Sequence, residues 1–236
     1  MEENIVINVS DFIRHTENLD LFGKQFIFRG QPCRRQLLPG IARLNQKKNT
    51  TDQERHVLDQ LLLMGASFPE LNQPGQLDRL VVAQHYGLKT RLLDWTSNPL
   101  AALWFACTDV ATKPGNAYVY ALMADDLQAK GVYEKDPFDG TVTNVFQPRL
   151  NNPRITAQHG WFTLHKFSKK SGAFVALESN LKTKEHLTEF KIPEESRGHI
   201  IEALGRHGIS RRTLFPDVEG LCMFLNLEHS GLHPLC

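Results

Sequence analysis

The stretch that most constrains the fold of this chain runs from residue 84 to residue 106 and reads QHYGLKTRLLDWTSNPLAALWFA. Gly87 is typical of a helix end, and the apolar run from Leu92 to Asp94 predicts a short strand. Asn98 and Pro99 predict the cap and first turn of a new helix. Because loops held by rigid elements often carry ligand-binding groups, the side chains of the two connections are the first functional candidates. They are Gln84, His85, Tyr86, Thr90, Arg91, Asp94, Trp95, Thr96 and Ser97.

A purely structural interpretation of the same residues stays open. Asp94, Thr96 and Ser97 belong to residue types that commonly form turns and helix caps. Under this interpretation Arg91 is a surface cation and Trp95 packs on the helix that follows. Each residue taken singly favours the structural role, whereas their crowding into two connections favours a site.

Composition predicts a single domain with almost no net charge. A chain of 236 residues that is 41% hydrophobic can bury one sizeable core, so we predict a single domain over residues 1–236. Residues 194–236 are predicted to be its C-terminal helical part. The 27 basic and 26 acidic residues give a net charge of +1, which is too small to hold nucleic acid by its phosphates. Nucleic-acid binding stays open only through a local site.

The cysteines and the N-terminus indicate the compartment. The four cysteines contain no CxxC pair, which argues against a disulfide framework and against a thiolate zinc site. The N-terminus lacks a basic-then-apolar signal pattern, and no apolar run approaches the ~18 residues of a membrane span. These features predict a soluble cytoplasmic protein that does not enter a membrane.

The rest of the chain alternates between predicted helices and strands. Residues 24–29 (KQFIFR) predict a buried strand that carries Arg29 to its C-terminal end. Thr51 and Glu54 have capping-box spacing, so we expect Glu54 to be structural rather than catalytic. Further helices are predicted from Ser10 or Asp11 to Leu19, and over 76–85, 98–112, 194–207 and 216–227. Further strands are predicted over 4–8, 117–123, 174–177 and 187–192, and within 152–166 with a break at Gly160.

The absence of several motifs argues against whole classes of catalytic and binding site. The spaced histidine pairs are His159 with His165 and His229 with His233, and neither lies in an HExxH context, so we expect no metal. GxSxG, GxxxxGK[ST] and GxGxxG motifs are absent from the sequence.

What remains is a candidate nucleotide site. Arg29 could hold an anion through its planar fork, and Tyr86 or Trp95 could stack on a heterocycle. Thr96 and Ser97 could orient a ribose or act only as caps. The structural alternative is a salt bridge between Arg29 and Asp94. We predict that Arg29, His85, Asp94 and Thr96 converge on one pocket.

At these residues the sequence resembles the FRG domain family. FRGQ stands at residues 28–31, where it includes Arg29, Gly30 and Gln31, and the stretch from 84 to 106 matches the family's central motif. RITAQHGWF at 154–162 and TLFPDVEGL at 213–221 are also similar to family segments. Members are often encoded beside bacterial toxin and phage-defence genes, which implies an effector role and a protein target or a toxin–antitoxin partner.

A remoter resemblance to arginine-class ADP-ribosyltransferases implies a fold and a chemistry. Their first strand ends in an aromatic-Arg-Gly that holds NAD, as IFRG does here, and LLDWTSNPLAALWFA is similar to their second element. The resemblance implies an α+β fold with a bent, mainly antiparallel or mixed split sheet and flanking helices. The third element, Glu-x-Glu or Gln-x-Glu, is missing from this sequence. Gln158 is nearest in position, and Asp94 and Glu178 are the alternative carboxylates for C–N cleavage.

The sequence therefore predicts an intracellular defence or toxin-type effector that binds NAD or a related nucleotide. NAD would be its substrate if it transfers ADP-ribose or cleaves NAD, with Asp94, Gln158 and His85 as catalytic candidates. The implied nucleotide contacts are Arg29, Gly30, Gln31, Gln84, Tyr86, Arg91, Trp95, Thr96 and Ser97. The alternative is a non-catalytic module that recognises a nucleotide or nucleic acid and regulates a partner. A metal-dependent nuclease ranks last because no acidic cluster appears.

Overall fold

The computed structural model describes residues 4–19, 23–108, 113–140, 142–149 and 152–229. The helices are α1 (Val9–Glu17), α2 (Thr51–Met64), α3 (Gln76–His85), α4 (Pro99–Cys107), α5 (Pro153–Ala157), α6 (Glu194–Arg206), α7 (Arg211–Leu214) and α8 (Val218–Glu228). The strands are β1 (Asn4–Ile5), β2 (Phe26–Gln31), β3 (Leu92–Thr96), β4 (Ala117–Met123), β5 (Asn144–Phe146), β6 (Gly160–Leu164), β7 (Phe167–Ser168), β8 (Ala173–Phe174) and β9 (Leu187–Ile192).

Seven of these strands form one mixed sheet in the order β1-β9-β4-β2-β3-β6-β5. The β1–β9 pair is parallel, and the other five neighbouring pairs are antiparallel. Strands β7 and β8 form a separate hairpin-like pair. The predicted α+β class with a mainly antiparallel sheet is therefore confirmed.

The main sheet is nearly divided between β2 and β3. These two strands are registered at a single pair, Phe28 with Thr96. By contrast, β2 is registered with β4 over all six of its residues, and β3 with β6 over all five. Beyond Phe28 the main-chain groups on the facing edges of β2 and β3 lack a regular ladder, so other groups must satisfy them.

Helix α4 packs against one face of the β2 half of the sheet. Because successive strand residues point to opposite faces, Phe28 and Gly30 of β2 face α4 and its cluster of buried apolar side chains. Ile27 lies in a different cluster on the opposite face, together with Trp95 and Tyr120. The alternation therefore puts Arg29 on that opposite face.

The local signals in the central stretch predict its elements well. The Asn98 side chain accepts hydrogen bonds from the main-chain nitrogens of Leu100 (3.0 Å) and Ala101 (3.3 Å), and Pro99 occupies the first helical position, as predicted. Helix α4 ends at Cys107, and residues 109–112 of the predicted helix lie outside the described residues. The 84–106 stretch is therefore held between two regular elements, the end of α3 and helix α4.

The segment before β6 corrects a prediction. Residues 153–157 are helical rather than extended, because the Asn152 side chain accepts from the main-chain nitrogen of Arg154 (2.9 Å) and Pro153 occupies the first turn. The strand begins only at Gly160. A five-residue helix is too short to display helical periodicity, and the apolar alternation concealed it.

Two helices begin at other residues than predicted, because other side chains cap them. Asn8, rather than Ser10 or Asp11, caps α1 by accepting from the main-chain nitrogen of Asp11 at 2.8 Å. Asp217 caps α8, so Pro216 lies outside that helix. The predicted strand over 174–177 is reduced to the two residues of β8, and α7 was not predicted.

The C-terminal helices pack on the same core as α4. Ile200 and Leu204 of α6 and Leu214 of α7 belong to the cluster that α4 buries. Residues 230–236 of the predicted C-terminal part lie outside the described residues. Within the residues that are described, no helix combines the length and apolar character needed to cross a membrane.

Candidate functional site

A row of polar side chains crosses the sheet on the face away from α4. Arg29 of β2 is registered with Tyr120 of β4, and Tyr120 is registered with Glu189 of β9. Residues directly opposite one another in antiparallel strands share a face. Arg29, Tyr120 and Glu189 therefore form one line, which we call the Arg29 row, and it ends at the divide between β2 and β3.

Arg29 bridges this divide. Its Nη1 donates a hydrogen bond of 2.5 Å to the main-chain oxygen of Asp94, in place of a missing ladder partner. The Asp94 carboxylate lies farther away, with Oδ2 at 3.8 Å from Nη1. Among the described residues, none accepts a hydrogen bond from the buried Nε of Arg29. The predicted contact between Arg29 and Asp94 exists, but it runs mainly through the main chain.

The charge on Arg29 is poorly compensated. Burial lowers the pKa of Arg29 to about 10, the Asp94 carboxylate opposes that change, and the nearby Arg43 guanidinium lowers the pKa further. Only 16% of the Arg29 side chain is exposed, whereas 56% of the Asp94 side chain is exposed. Arg29 is therefore a largely desolvated cation whose nearest counter-charge, the exposed Asp94 carboxylate, lies at the outer limit of salt-bridge distance.

His165 adds a second unsatisfied group beside Arg29. The residue is 1% exposed, its Nε2 lies 3.0 Å from Thr163 Oγ1, and its Nδ1 has no partner in the part of the chain that the structure describes. Burial and the Arg29 charge lower the pKa of His165 to about 3, so the ring is neutral at ordinary pH. In either neutral tautomer, one buried ring nitrogen is left to meet a ligand or a water.

Glu189 supplies a carboxylate to the other end of the row. Tyr120 shares a side-chain hydrogen bond with Glu189, and burial followed by the Glu189 charge raises the pKa of Tyr120. The Glu189 side chain is 33% exposed and forms a 3.0 Å salt bridge with Arg34 at the surface. Sequence reasoning missed Tyr120, His165 and Glu189, although the parity of their strand positions was the available signal.

Asp94 lies on the other face of β3, where α3 reaches it. Gln84 Nε2 donates to both carboxylate oxygens of Asp94, at 3.2 and 3.3 Å, and Thr90 Oγ1 donates to Gln84 Oε1 at 2.7 Å. Asp94 thus joins the Gln84 side chain on one side of the sheet to Arg29 on the other. This chain of contacts is the part of the predicted site that converges.

His85 and Tyr86 flank that chain. Their rings pack edge to face with centroids 5.0 Å apart, and the Tyr86 side is open because this residue is 63% exposed. Burial, and then the Arg154 charge, lowers the pKa of His85, while the Asp217 and Asp94 carboxylates raise it. His85 therefore belongs to the Asp94 side of β3 and not to the Arg29 row.

Thr96, Ser97 and Gln158 tie β3 to its neighbours. Thr96 Oγ1 donates to the main-chain oxygen of Gln158 at 2.6 Å, and the main-chain nitrogen of Ser97 donates to the main-chain oxygen of His159 at 3.0 Å. The Gln158 side chain donates to the Leu214 main-chain oxygen at 3.0 Å. Thr96 is buried and already bonded, so it does not complete a pocket with Arg29 and His85.

Arg91 lies in the core and not at the surface. Its Nε donates to Glu54 Oε2 at 2.9 Å, its main-chain nitrogen donates to Glu54 Oε1 at 2.7 Å, and both side chains are 1% exposed. Burial raises the pKa of Glu54 and lowers that of Arg91, and each charge opposes the change in the other. This position corrects both interpretations of Arg91, as a surface cation and as a nucleotide contact.

The contact between Glu54 and Arg91 also shows that the predicted capping box of Thr51 and Glu54 does not form. Glu54 is structural, as predicted, but its partner is Arg91. The N-cap of α2 is Thr50, without a side-chain cap, and Thr51 Oγ1 accepts from Arg91 Nη2 at 3.2 Å.

Four further candidates already have structural contacts, three of them in the packed part of the sheet and the fourth, Glu178, at an exposed position. Trp95 is 4% exposed, and its Nε1 donates to Thr163 Oγ1 at 3.1 Å, so its ring is not open for stacking. Gly30 faces α4, and Gln31 is buried. Glu178 Oε2 accepts from the main-chain nitrogen of Leu37 at 3.1 Å.

The described part of the chain contains no group of three or more His, Cys, Asp or Glu residues arranged to hold a metal ion.

Comparison with curated proteins and with solved structures gives no match. The FRG domain family model matches residues 24–114, which include β2, β3 and α4. The similar segments at 154–162 and 213–221 lie outside this match. Residues 24–114 of this chain are thus similar to the FRG domain family.

Proposed function

We propose that this protein binds NAD or a related nucleotide along the Arg29 row, as an effector of the defence or toxin type. The observation that carries the proposal is the state of Arg29: it is largely buried, its Nε is unbonded, and the Asp94 carboxylate is beyond hydrogen-bond distance. A desolvated guanidinium normally has an anionic partner. A ligand phosphate at the divide between β2 and β3 would supply it.

The neighbours of Arg29 favour the same ligand class. Arg43 adds positive charge close to Arg29, and the neutral His165 offers an unpaired ring nitrogen without adding charge. A guanidinium holds two phosphate oxygens at once, which suits the pyrophosphate of a dinucleotide. Of the two aromatic residues predicted to stack, Trp95 is buried, and Tyr86 is exposed but packs on His85 at the Asp94 side of β3. Neither ring therefore contributes to the proposal at the Arg29 row.

Glu189 favours NAD cleavage as a second candidate function. It lies two strands from Arg29, so about 10 Å separates their main chains, a distance that an extended dinucleotide can span. In that reaction the C–N glycosidic bond breaks with its electrons going to nicotinamide. Water or an acceptor then attacks the ribose carbon and loses a proton. A carboxylate stabilises the oxocarbenium-like centre between the two steps.

The split sheet is consistent with this proposal. The sequence has a remote resemblance to arginine-class ADP-ribosyltransferases, and that resemblance implied a split sheet. Here the Glu-x-Glu or Gln-x-Glu element is absent, and Gln158 is bonded to the Leu214 main chain. If no cleavage occurs, the protein is the non-catalytic nucleotide-recognition module.

Arg29→Lys is expected to weaken nucleotide binding roughly tenfold to a hundredfold, because lysine keeps the charge but loses the fork. Asp94→Asn is the comparison variant, and its melting temperature is expected to stay near the wild-type value because Asp94 contacts Arg29 mainly through main-chain oxygen. Calorimetric titration with NAD and ADP-ribose, together with thermal melting, measures both effects.

Arg35→Lys, which changes an exposed arginine in the loop after β2, is the matched control and should bind like the wild type. Equal losses of stability in the Arg29→Lys and Asp94→Asn variants would instead show a structural ion pair. If wild-type protein neither binds NAD or ADP-ribose at millimolar concentration nor is stabilised by them, the nucleotide proposal fails.

Glu189→Gln is expected to abolish nicotinamide release while leaving NAD affinity within about threefold of wild type, because it removes a charge needed chiefly in the transition state. Product analysis by chromatography and calorimetric titration measure the two properties. Glu185→Gln, an exposed position just before β9, is the control. Undiminished release by the Glu189 variant would remove Glu189 from the mechanism.

A further inference from the structure

A second site lies on the other side of β6 from the Arg29 row. His165 and Lys166 follow β6 in succession, and successive residues of an extended segment point to opposite faces. Lys166 lines a cavity of about 280 Å³ that the chain between β4 and β5 closes. Other lining residues are Gln128, Lys130, Lys135, Asp136 and Asn144.

The Lys166 ammonium group lacks a counter-ion of its own. The residue is 6% exposed, and its Nζ donates a hydrogen bond to the main-chain oxygen of Pro137. An ammonium group has three donors, so two remain for other partners. Within the described residues, no carboxylate lies within 4.0 Å of Nζ, the distance that defines a salt bridge.

The acidic groups around Lys166 are already engaged. Asp136 binds Arg55 Nη1 at 2.6 Å, Asp139 binds Arg55 Nη2 at 3.2 Å, and Glu54 binds Arg91. Burial, and then the Arg91 charge, lowers the pKa of Lys166 to about 8, and Asp136, Asp139 and Glu54 oppose the change. A buried cation in this condition is stabilised by any anion that reaches it.

We propose that this cavity binds a small organic anion, either a carboxylate or a phosphate ester, whose charged end contacts Lys166. Lys130 and Lys135 are exposed and line the same cavity, so they add positive charge at its rim. The amides of Gln128 and Asn144 can bond a polar ligand, and Val132 and Leu164 can contact an apolar part of it. The volume is near the lower end of the range for ligand pockets, about 300–1,000 Å³.

The site is independent of the nucleotide site. Its lining residues belong to the segment between β4 and β5, to the first residue of β5, and to the end of β6 with Lys166 just after it, and none of them belongs to the Arg29 row. Failure of NAD binding would therefore leave this proposal untouched, and the reverse also holds.

Calorimetric titration of the full chain at pH 7 with succinate, glycerol 3-phosphate and inorganic phosphate tests the proposal. We expect at least one organic probe to bind with a Kd below about 1 mM and Lys166→Met to weaken it at least tenfold. Lys169→Met, an exposed lysine nearby, should bind like the wild type. The three probes distinguish a carboxylate site, a phosphate-ester site and simple phosphate binding, and binding of inorganic phosphate alone would overturn the proposal.

The protonation of Lys166 gives a second readout. A bound anion stabilises the ammonium form and raises its pKa above the unliganded value of about 8. Binding at pH 8 to 9 should therefore take up protons, and affinity should fall as pH rises above 8. Titration in two buffers of different ionisation enthalpy measures this uptake, and the Lys166→Met variant should not show it.

Stability separates a ligand site from a structural lysine. Lys166→Met removes a buried charge without a counter-ion, so its unliganded melting temperature should equal or exceed that of wild type. A clear fall in the melting temperature of Lys166→Met would show that Lys166 stabilises the fold through its hydrogen bond to Pro137. That result would overturn the proposal. The double variant Lys130→Ala/Lys135→Ala changes exposed residues and should fold, and unchanged probe affinity in it would contradict the rim contacts.

Discussion

Glu54→Gln is expected to lower the free energy of unfolding by about 3–5 kcal/mol, because it leaves the Arg91 charge buried without a counter-charge. The Glu54 carboxylate accepts from both the side chain and the main chain of Arg91, and neither side chain reaches solvent. Arg91 is also stacked on the Phe138 ring, with Cζ 4.5 Å from its centroid. Urea unfolding followed by circular dichroism measures the loss.

Asp59→Asn is the matched control for that experiment, since it removes an exposed carboxylate from the same helix, and its stability should change by less than about 0.5 kcal/mol. The double variant Glu54→Met/Arg91→Met should be more stable than Glu54→Gln, because no unpaired charge remains. A Glu54→Gln variant that melts like the wild type but loses activity would instead identify Glu54 as catalytic.

Gly30→Ala is expected to cost about 3 kcal/mol or more, because β2 and α4 approach too closely for a methyl group. A Cβ at Gly30 would lie 1.9 Å from the main-chain oxygen of Ala102 and 2.5 Å from the main-chain nitrogen of Ala106. Both are helix backbone atoms, which cannot rotate away as a side chain does. The glycine of the FRGQ motif is thus explained by packing on α4, without a ligand contact. Thermal and urea unfolding measure the effect.

Gly198→Ala in α6 is the control for Gly30→Ala. No atom lies within 4 Å of a Cβ built at Gly198, so alanine should raise stability by about 0.5–1 kcal/mol through its helix propensity. A native-like melting curve for Gly30→Ala would contradict the close contact between β2 and α4. In that case Gly30 would again be available as a ligand-contact position.

The sequence by itself determined the elements whose signals are local. The Asn98-Pro99 cap and the helix from Gln76 to His85 depend on neighbouring residues, and each forms where predicted. The strand predicted over residues 24–29 also forms, but it begins at Phe26 and continues through Gly30 to Gln31. The motif residues at 28–31 and in the central stretch likewise predicted the similarity to the FRG domain family that the family model shows over residues 24–114. Local signals failed at α5, where five residues are too few for a periodic pattern.

Only the tertiary structure decided which of these residues meet. Periodicity separates buried from exposed positions, but it does not name partners that are distant in the chain. Arg91 finds Glu54 across 37 positions, and Arg29 finds the Asp94 main chain across 65. The Arg29 row depends on the register of β4 and β9 against β2, which long-range strand pairing fixes. For that reason Arg29 could be predicted from the sequence as a candidate site residue, whereas only the fold shows that Tyr120, His165 and Glu189 lie on the same side of the sheet near it.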